Sequence, residues 1–110
     1  MTTAEADALV VLIAAANREE ATRLAEMLVG AQLAACVQIL PEMESIYRWQ
    51  GKIERAEEVL LIAKTARAKF AKLEREVRSL HSYETPEIVA IPVCEGSPSY
   101  LEWLARVIAD

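Results

Sequence analysis

The residues best able to do chemistry crowd into one short stretch, His81-Ser82-Tyr83-Glu84. An imidazole, a hydroxyl, a phenol and a carboxylate stand in four consecutive positions. His81 is the only histidine of the chain. In an extended loop His81 and Tyr83 point one way, Ser82 and Glu84 the other. Such a set can move protons or hold a metal. Nothing beside it marks a nucleophile: there is no Ser-His-Asp order with supporting turns and no phosphate-binding glycine loop. The chain is therefore read as a non-enzyme. One imidazole without neighbours at ligand spacing is also a thin basis for a metal site. The plainer alternative is a contact at a helix C-terminus plus loop hydrogen bonds.

Other donors are scattered. Cys36 alternates with Gln38 and Leu40 along a strand pattern, where a cysteine usually behaves as a small hydrophobe. As a thiolate it would suit soft metals such as copper(I). Cys94 looks incidental. Glu42, Glu44, Glu54, Glu57 and Glu58 make a carboxylate-rich stretch that could hold hard cations loosely, although a solvated acidic surface explains it as well.

These residues need elements to position them. Ala8 to Ala15 is a continuous apolar run with β-branched residues, suited to a central strand. Asn17 can cap a helix, with Glu20 at the capping-box position. Ala21, Leu24, Ala25, Leu28 and Val29 give that helix one apolar stripe, and Gly30 ends it. Leu33 to Leu40 reads as a second strand, and Pro41 predicts a bulge or an edge position. The pattern resumes from Met43 through Tyr47 and Trp49. Gln50-Gly51-Lys52 turns the chain, and Ile53 to Lys64 returns. Thr65 is expected to cap a helix over Ala66 to Leu80. Glu87 to Val93 is the last strand. Ser97 and Pro98 start a final helix that turns Tyr100, Leu101, Leu104, Val107 and Ile108 inward. The order βαββαβ plus a C-terminal helix predicts an α+β, ferredoxin-like sandwich, a four-stranded antiparallel sheet with two helices on one face.

Composition narrows the classes. The 110 residues fit one domain, and at 54% apolar they can build a core without disulfides. A net charge of −5 argues against a nucleic-acid binder. No apolar run approaches the length of a membrane span. Residues 1–7 are polar and acidic; they are read as a frayed terminus rather than a signal peptide. Two cysteines far apart fit reduced thiols in the cytoplasm.

The hairpin is too long for its domain. From Leu33 to Gln50 a single strand of about 18 residues would span roughly 60 Å. A globule of this size is only about 35 Å across. Ile46, Tyr47, Trp49 and Ile53 would then project into water, which predicts cover from another subunit.

A resemblance runs along nearly the whole chain. Leu33-Ala34-Ala35-Cys36-Val37, Ser45 through Ile53, Val59 through Thr65, His81-Ser82-Tyr83-Glu84-Thr85-Pro86-Glu87 and Tyr100-Leu101-Glu102-Trp103 resemble the CutA family of divalent-cation tolerance proteins. The resemblance implies one CutA-like domain over 1–110, assembled as a homotrimer through the long hairpin. It also implies a part in the response to metal ions, with copper or another divalent metal as the bound species and no organic cofactor. The metal candidates are His81, Cys36 and Glu84; Tyr83, Lys64, Tyr47 and Trp49 are candidates to line a cleft between subunits. Ile13 and Leu80 stand where some members carry a cysteine and a second histidine, and Ser82 where many carry proline. With so few ligands, copper(II) binding is expected to be weak and to fade in acid, since imidazole must be neutral to bind. Two other readings share this plan: a small-molecule sensor built like the trimeric PII signalling proteins, and a structural trimer that anchors other proteins.

Overall fold

A computed structural model describes residues 7–109. Four strands and three helices follow in the order β1 (Ala8–Ala15), α1 (Arg18–Gly30), β2 (Cys36–Trp49), β3 (Lys52–Ala66), α2 (Arg67–Leu80), β4 (Ile88–Pro92) and α3 (Pro98–Val107). The strands form one antiparallel sheet in the order β2-β3-β1-β4. This is the split βαβ plan, with the two edges left to β2 and β4.

The core lies between the sheet and the helices α1 and α2. Leu9, Val11, Ile13 and Ala15 alternate along β1 and are buried with Leu24 and Leu28 of α1 and Leu73 and Val77 of α2. Alternation on a strand and three-to-four spacing on the helices put these side chains on facing surfaces. The opposite sheet face carries Leu40 of β2 and Val89 and Ile91 of β4, all exposed. At one end α3 lies over that face, where the Tyr100 hydroxyl and Cys36 Sγ are 3.5 Å apart.

The hairpin carries two devices. Gln50 (φ 50°) and Gly51 (φ 80°) close it as a two-residue turn with both residues left-handed. That turn matches the twist of the strands, and glycine takes the second position without a Cβ clash. Further down, Pro41 and Glu42 together oppose only Val59, because Leu40 pairs with Leu60 and Met43 with Glu58. This is the bulge expected at Pro41. Its extra residue resets the alternation. Met43, Ser45, Tyr47 and Trp49 therefore share a sheet face with Cys36, Gln38 and Leu40.

Several boundaries differ from the sequence-based expectation. The second strand starts at Cys36 rather than Leu33, because Leu33 and Ala34 hydrogen-bond back to Leu28 at the end of α1. The long axis is accordingly 46 Å, short of the expected span but about twice the other two extents, 25 and 23 Å. Thr65 does not cap α2. It is fully buried within β3 and its hydroxyl donates to the Leu33 carbonyl at 2.6 Å. Ala66 occupies the cap position with no side-chain bond. Ser97 precedes Pro98 as expected, but its hydroxyl makes no capping bond to α3. The frayed terminus falls, except for Asp7, outside the described residues; the Asp7 carbonyl accepts the Arg67 amide.

Candidate functional site

His81 sits at the C-terminus of α2, where its amide donates to Val77. Its side chain is fully buried. Nδ1 accepts the Tyr83 amide at 3.0 Å, so that nitrogen carries no proton. Nε2 lies 2.7 Å from the Ala14 carbonyl and donates to it. The hydrogen bonds thus require the neutral Nε2–H tautomer. One ring bolts the loop after α2 to the end of β1.

Glu20 completes this bolt. It is 2% exposed, in the first turn of α1. Asn17 caps that helix by accepting the Glu20 amide at 2.8 Å, as the sequence predicts. The Glu20 carboxylate does not return to Asn17. One oxygen accepts the Ala16 amide at 2.9 Å, and the other reaches across to the Ser82 amide at 2.7 Å. Burial alone would raise its carboxyl. The hydrogen bonds from Ala16 and Ser82 outweigh that and hold it below its ordinary value.

Tyr83 faces the other way, towards the hairpin. Its hydroxyl donates to Glu58 Oε2 at 2.8 Å, and its ring tilts against His81 with centroids 4.8 Å apart. Burial first, then the Glu58 carboxylate, pushes the phenol well above its ordinary range. Tyr83 therefore remains a donor throughout the neutral range.

Between this loop and the part of the hairpin beyond the bulge lies an open cleft of about 540 Å³. Tyr47, Trp49 and Tyr83 supply its aromatic surface. Glu58, Glu84 and Glu87 supply carboxylates. Ala14, Ser45, Ile46 and Thr85 complete the lining. Its size is that of small-molecule sites.

The candidate residues divide into two groups. Tyr47, Trp49, Tyr83 and Glu84 line this cleft, with His81 immediately behind Ala14. Cys36 and Lys64 do not join them. They pair with each other across β2 and β3, four positions along from Leu60, which stands opposite Ala14. That is about 13 Å along the sheet. There Lys64 Nζ donates to Gln38, and Cys36 meets Tyr100, whose phenol the Cys36 hydrogen bond and then burial push up to about 12. Among the described residues no group of three or more His, Cys, Asp or Glu is arranged to hold a metal ion.

The sequence reading missed Glu20 and undervalued Glu58 and Glu87. Glu20 carried a signal, its capping-box place. The partner that matters, Ser82, is distant in sequence. Glu58 was one of five hairpin glutamates, and only the bulge register singles it out.

Comparison with known proteins agrees with this architecture. The profile of the CutA1 divalent ion tolerance protein family matches residues 9–107. The chain belongs to the CutA family. It is 50% identical over 95 residues to the divalent-cation tolerance protein CutA of Thermus thermophilus, covering 86% of this chain and 92% of that one. The chloroplastic CutA of Arabidopsis thaliana is 44% identical over 87% of this chain, which spans about half (53%) of that longer protein. Among solved structures, CutA1 of Oryza sativa superposes with a TM-score of 0.91 at 38% identity, covering 96% of each chain. The periplasmic divalent cation tolerance protein CutA of Archaeoglobus fulgidus gives 0.89 at 42% identity, covering 92% of this chain and 98% of that one. The family match thus runs from β1 through α3. Among the described residues no helix is long and apolar enough to cross a membrane.

Proposed function

We propose that this CutA chain serves divalent-cation tolerance as a cytoplasmic homotrimer that binds rather than catalyses. The observation that carries the assembly is the uncovered apolar surface. Ile53 is 68% and Trp49 50% exposed on the hairpin, and Leu40, Val89 and Ile91 lie open on the sheet. Apolar surface on a protruding hairpin and at both sheet edges calls for a partner, and identical copies are the simplest one. Two free cysteines fit a reducing compartment.

Copper or another divalent cation is then held weakly. To ligate, His81 must give up its bond to Ala14 or to Tyr83. Glu84 is exposed at the cleft mouth and accessible, whereas Cys36 could contribute only from another copy. Incomplete ligation of this kind gives low affinity. Titration calorimetry with copper(II) tests it on the wild type and on Glu84→Gln, His81→Ala and Cys36→Ala. Weak saturable binding reduced by at least one change is expected. Binding unaffected by all three removes these ligands.

A second reading, a small-molecule sensor, is favoured by one feature. The cleft is of ligand size, and its wall includes apolar and aromatic side chains as well as acids.

A further inference from the structure

Two charges of opposite sign stand on one face of β3 without a counter-ion. Glu58, Leu60, Ile62 and Lys64 alternate along that strand and face away from the helices, whose side takes the buried Val59, Leu61 and Ala63. Glu58 is only 9% exposed, and its one described hydrogen-bond partner is the neutral Tyr83 hydroxyl. Lys64 is half-buried, and its ammonium donates to the side-chain carbonyl of Gln38, which is also neutral. Among the described residues neither group has an ion-pair partner. They cannot pair within one chain, because six positions of an extended strand hold them about 20 Å apart.

The surface between them is apolar. Leu60 and Ile62 lie on β3, Leu12 and Leu40 on the strands beside it, and Val89 and Ile91 continue the face to the β4 edge. Another copy seated on that face takes Glu58 and Lys64 out of water as well. A charge buried without a partner is costly, so assembly must bring each one a counter-charge. Three identical copies close into a ring through head-to-tail contacts, in which two different patches of the chain meet. A Glu58 end and a Lys64 end on the same face are such complementary patches. We propose that at each interface of the trimer the Lys64 ammonium of one copy pairs with the Glu58 carboxylate of the next, beside Tyr83. This rests on the trimer proposed above. Tyr83 satisfies one carboxylate oxygen of Glu58 from within its own chain, and the other, which accepts no described hydrogen bond, is left for the partner's Lys64. The pair sets the register of one copy on the next, since an alignment of like ends would bring Glu58 against Glu58.

A double-substitution cycle on the full chain tests this. Light scattering follows, at one protein concentration, the urea concentration at which the mass falls from three protomers to one. Glu58→Gln keeps an acceptor for the Tyr83 hydroxyl, and Lys64→Met keeps the length of the stem. Each alone leaves one buried charge unpaired and should lower that midpoint. The two together leave none, so the double variant should dissociate no earlier than the weaker single variant. Lys64→Arg keeps the charge and should stay close to wild type. Single effects that simply add in the double variant place the two groups apart and overturn the pair, as do single variants that dissociate like wild type. An equal loss in Lys64→Arg and Lys64→Met also overturns it, because packing rather than charge would then govern position 64. A wild type with the mass of one protomer before any urea is added removes the trimer itself, the reading on which the pair rests.

Discussion

The Ser82 amide donates to the Glu20 carboxylate over 2.7 Å, joining the start of α1 to the loop after α2. The two residues are 62 positions apart. With Ala16 on the other oxygen and His81 at 3.8 Å, Glu20 fixes where the loop begins, and hence where Tyr83 and Glu84 enter the cleft.

Replacing Glu20 should therefore cost stability. Glu20→Ala removes two part-buried, charge-assisted hydrogen bonds from the Ala16 and Ser82 amides and is expected to destabilise by about 2–4 kcal/mol. Glu20→Gln, which keeps one acceptor, should cost less. The dependence on pH has a definite sign. The folded carboxyl titrates below its ordinary value of 4.5, so its contribution is present above that value and is lost as pH falls through the folded one. Urea unfolding of wild type and Glu20→Gln should show a gap that is constant near neutrality and closes in acid. A gap that persists in acid would mean the carboxylate charge is not what Ser82 and Ala16 recognise.

His81 should behave as a structural residue before any metal is added. His81→Ala leaves the Ala14 carbonyl and the Tyr83 amide without their partner, at a cost of about 1–3 kcal/mol for each group that stays dry. Thermal unfolding of the metal-free variant should occur at a clearly lower temperature than for wild type. An unchanged midpoint would show that the ring is not the bolt described. The same measurement guards the copper titration, because a variant that loses metal by unfolding says nothing about ligands.

At the hairpin tip Gly51 has φ 80°, a conformation that a side chain disfavours. No atom lies within 4 Å of where a Cβ would stand, so the cost of Gly51→Ala is purely conformational. About 1 kcal/mol is expected, read as a lower urea midpoint with an unchanged slope. A neutral result would imply that the turn relaxes to another type.

Much of the fold was legible because its signals are local. The β-branched run at 8–15, the stripe on α1 and the Ser97-Pro98 start each depend on neighbours in sequence, and the βαββαβ order follows from them. Pro41 announced the bulge because a missing N–H cannot sit in a regular ladder. Thr65 misled for a related reason. A threonine before a helix usually caps, but here the Leu33 carbonyl, a distant acceptor, claims the hydroxyl. The site was legible only in part. His81, Tyr83 and Glu84 stand together in sequence and remain together in space. Cys36 and Lys64 looked like members of the same set, yet strand direction carries them to the far end of the sheet. Glu58 and Glu20 depend on register and on helix placement, which no local pattern encodes.

Assembly is where the protein is most open to test. Light scattering on the purified full chain should give three times the 12.2 kDa protomer mass, and Trp49→Asp, which puts a carboxylate where the proposed trimer would cover the hairpin, should lower it. A wild-type mass of one protomer, with Trp49, Ile53, Val89 and Ile91 left in water, would contradict the trimer directly.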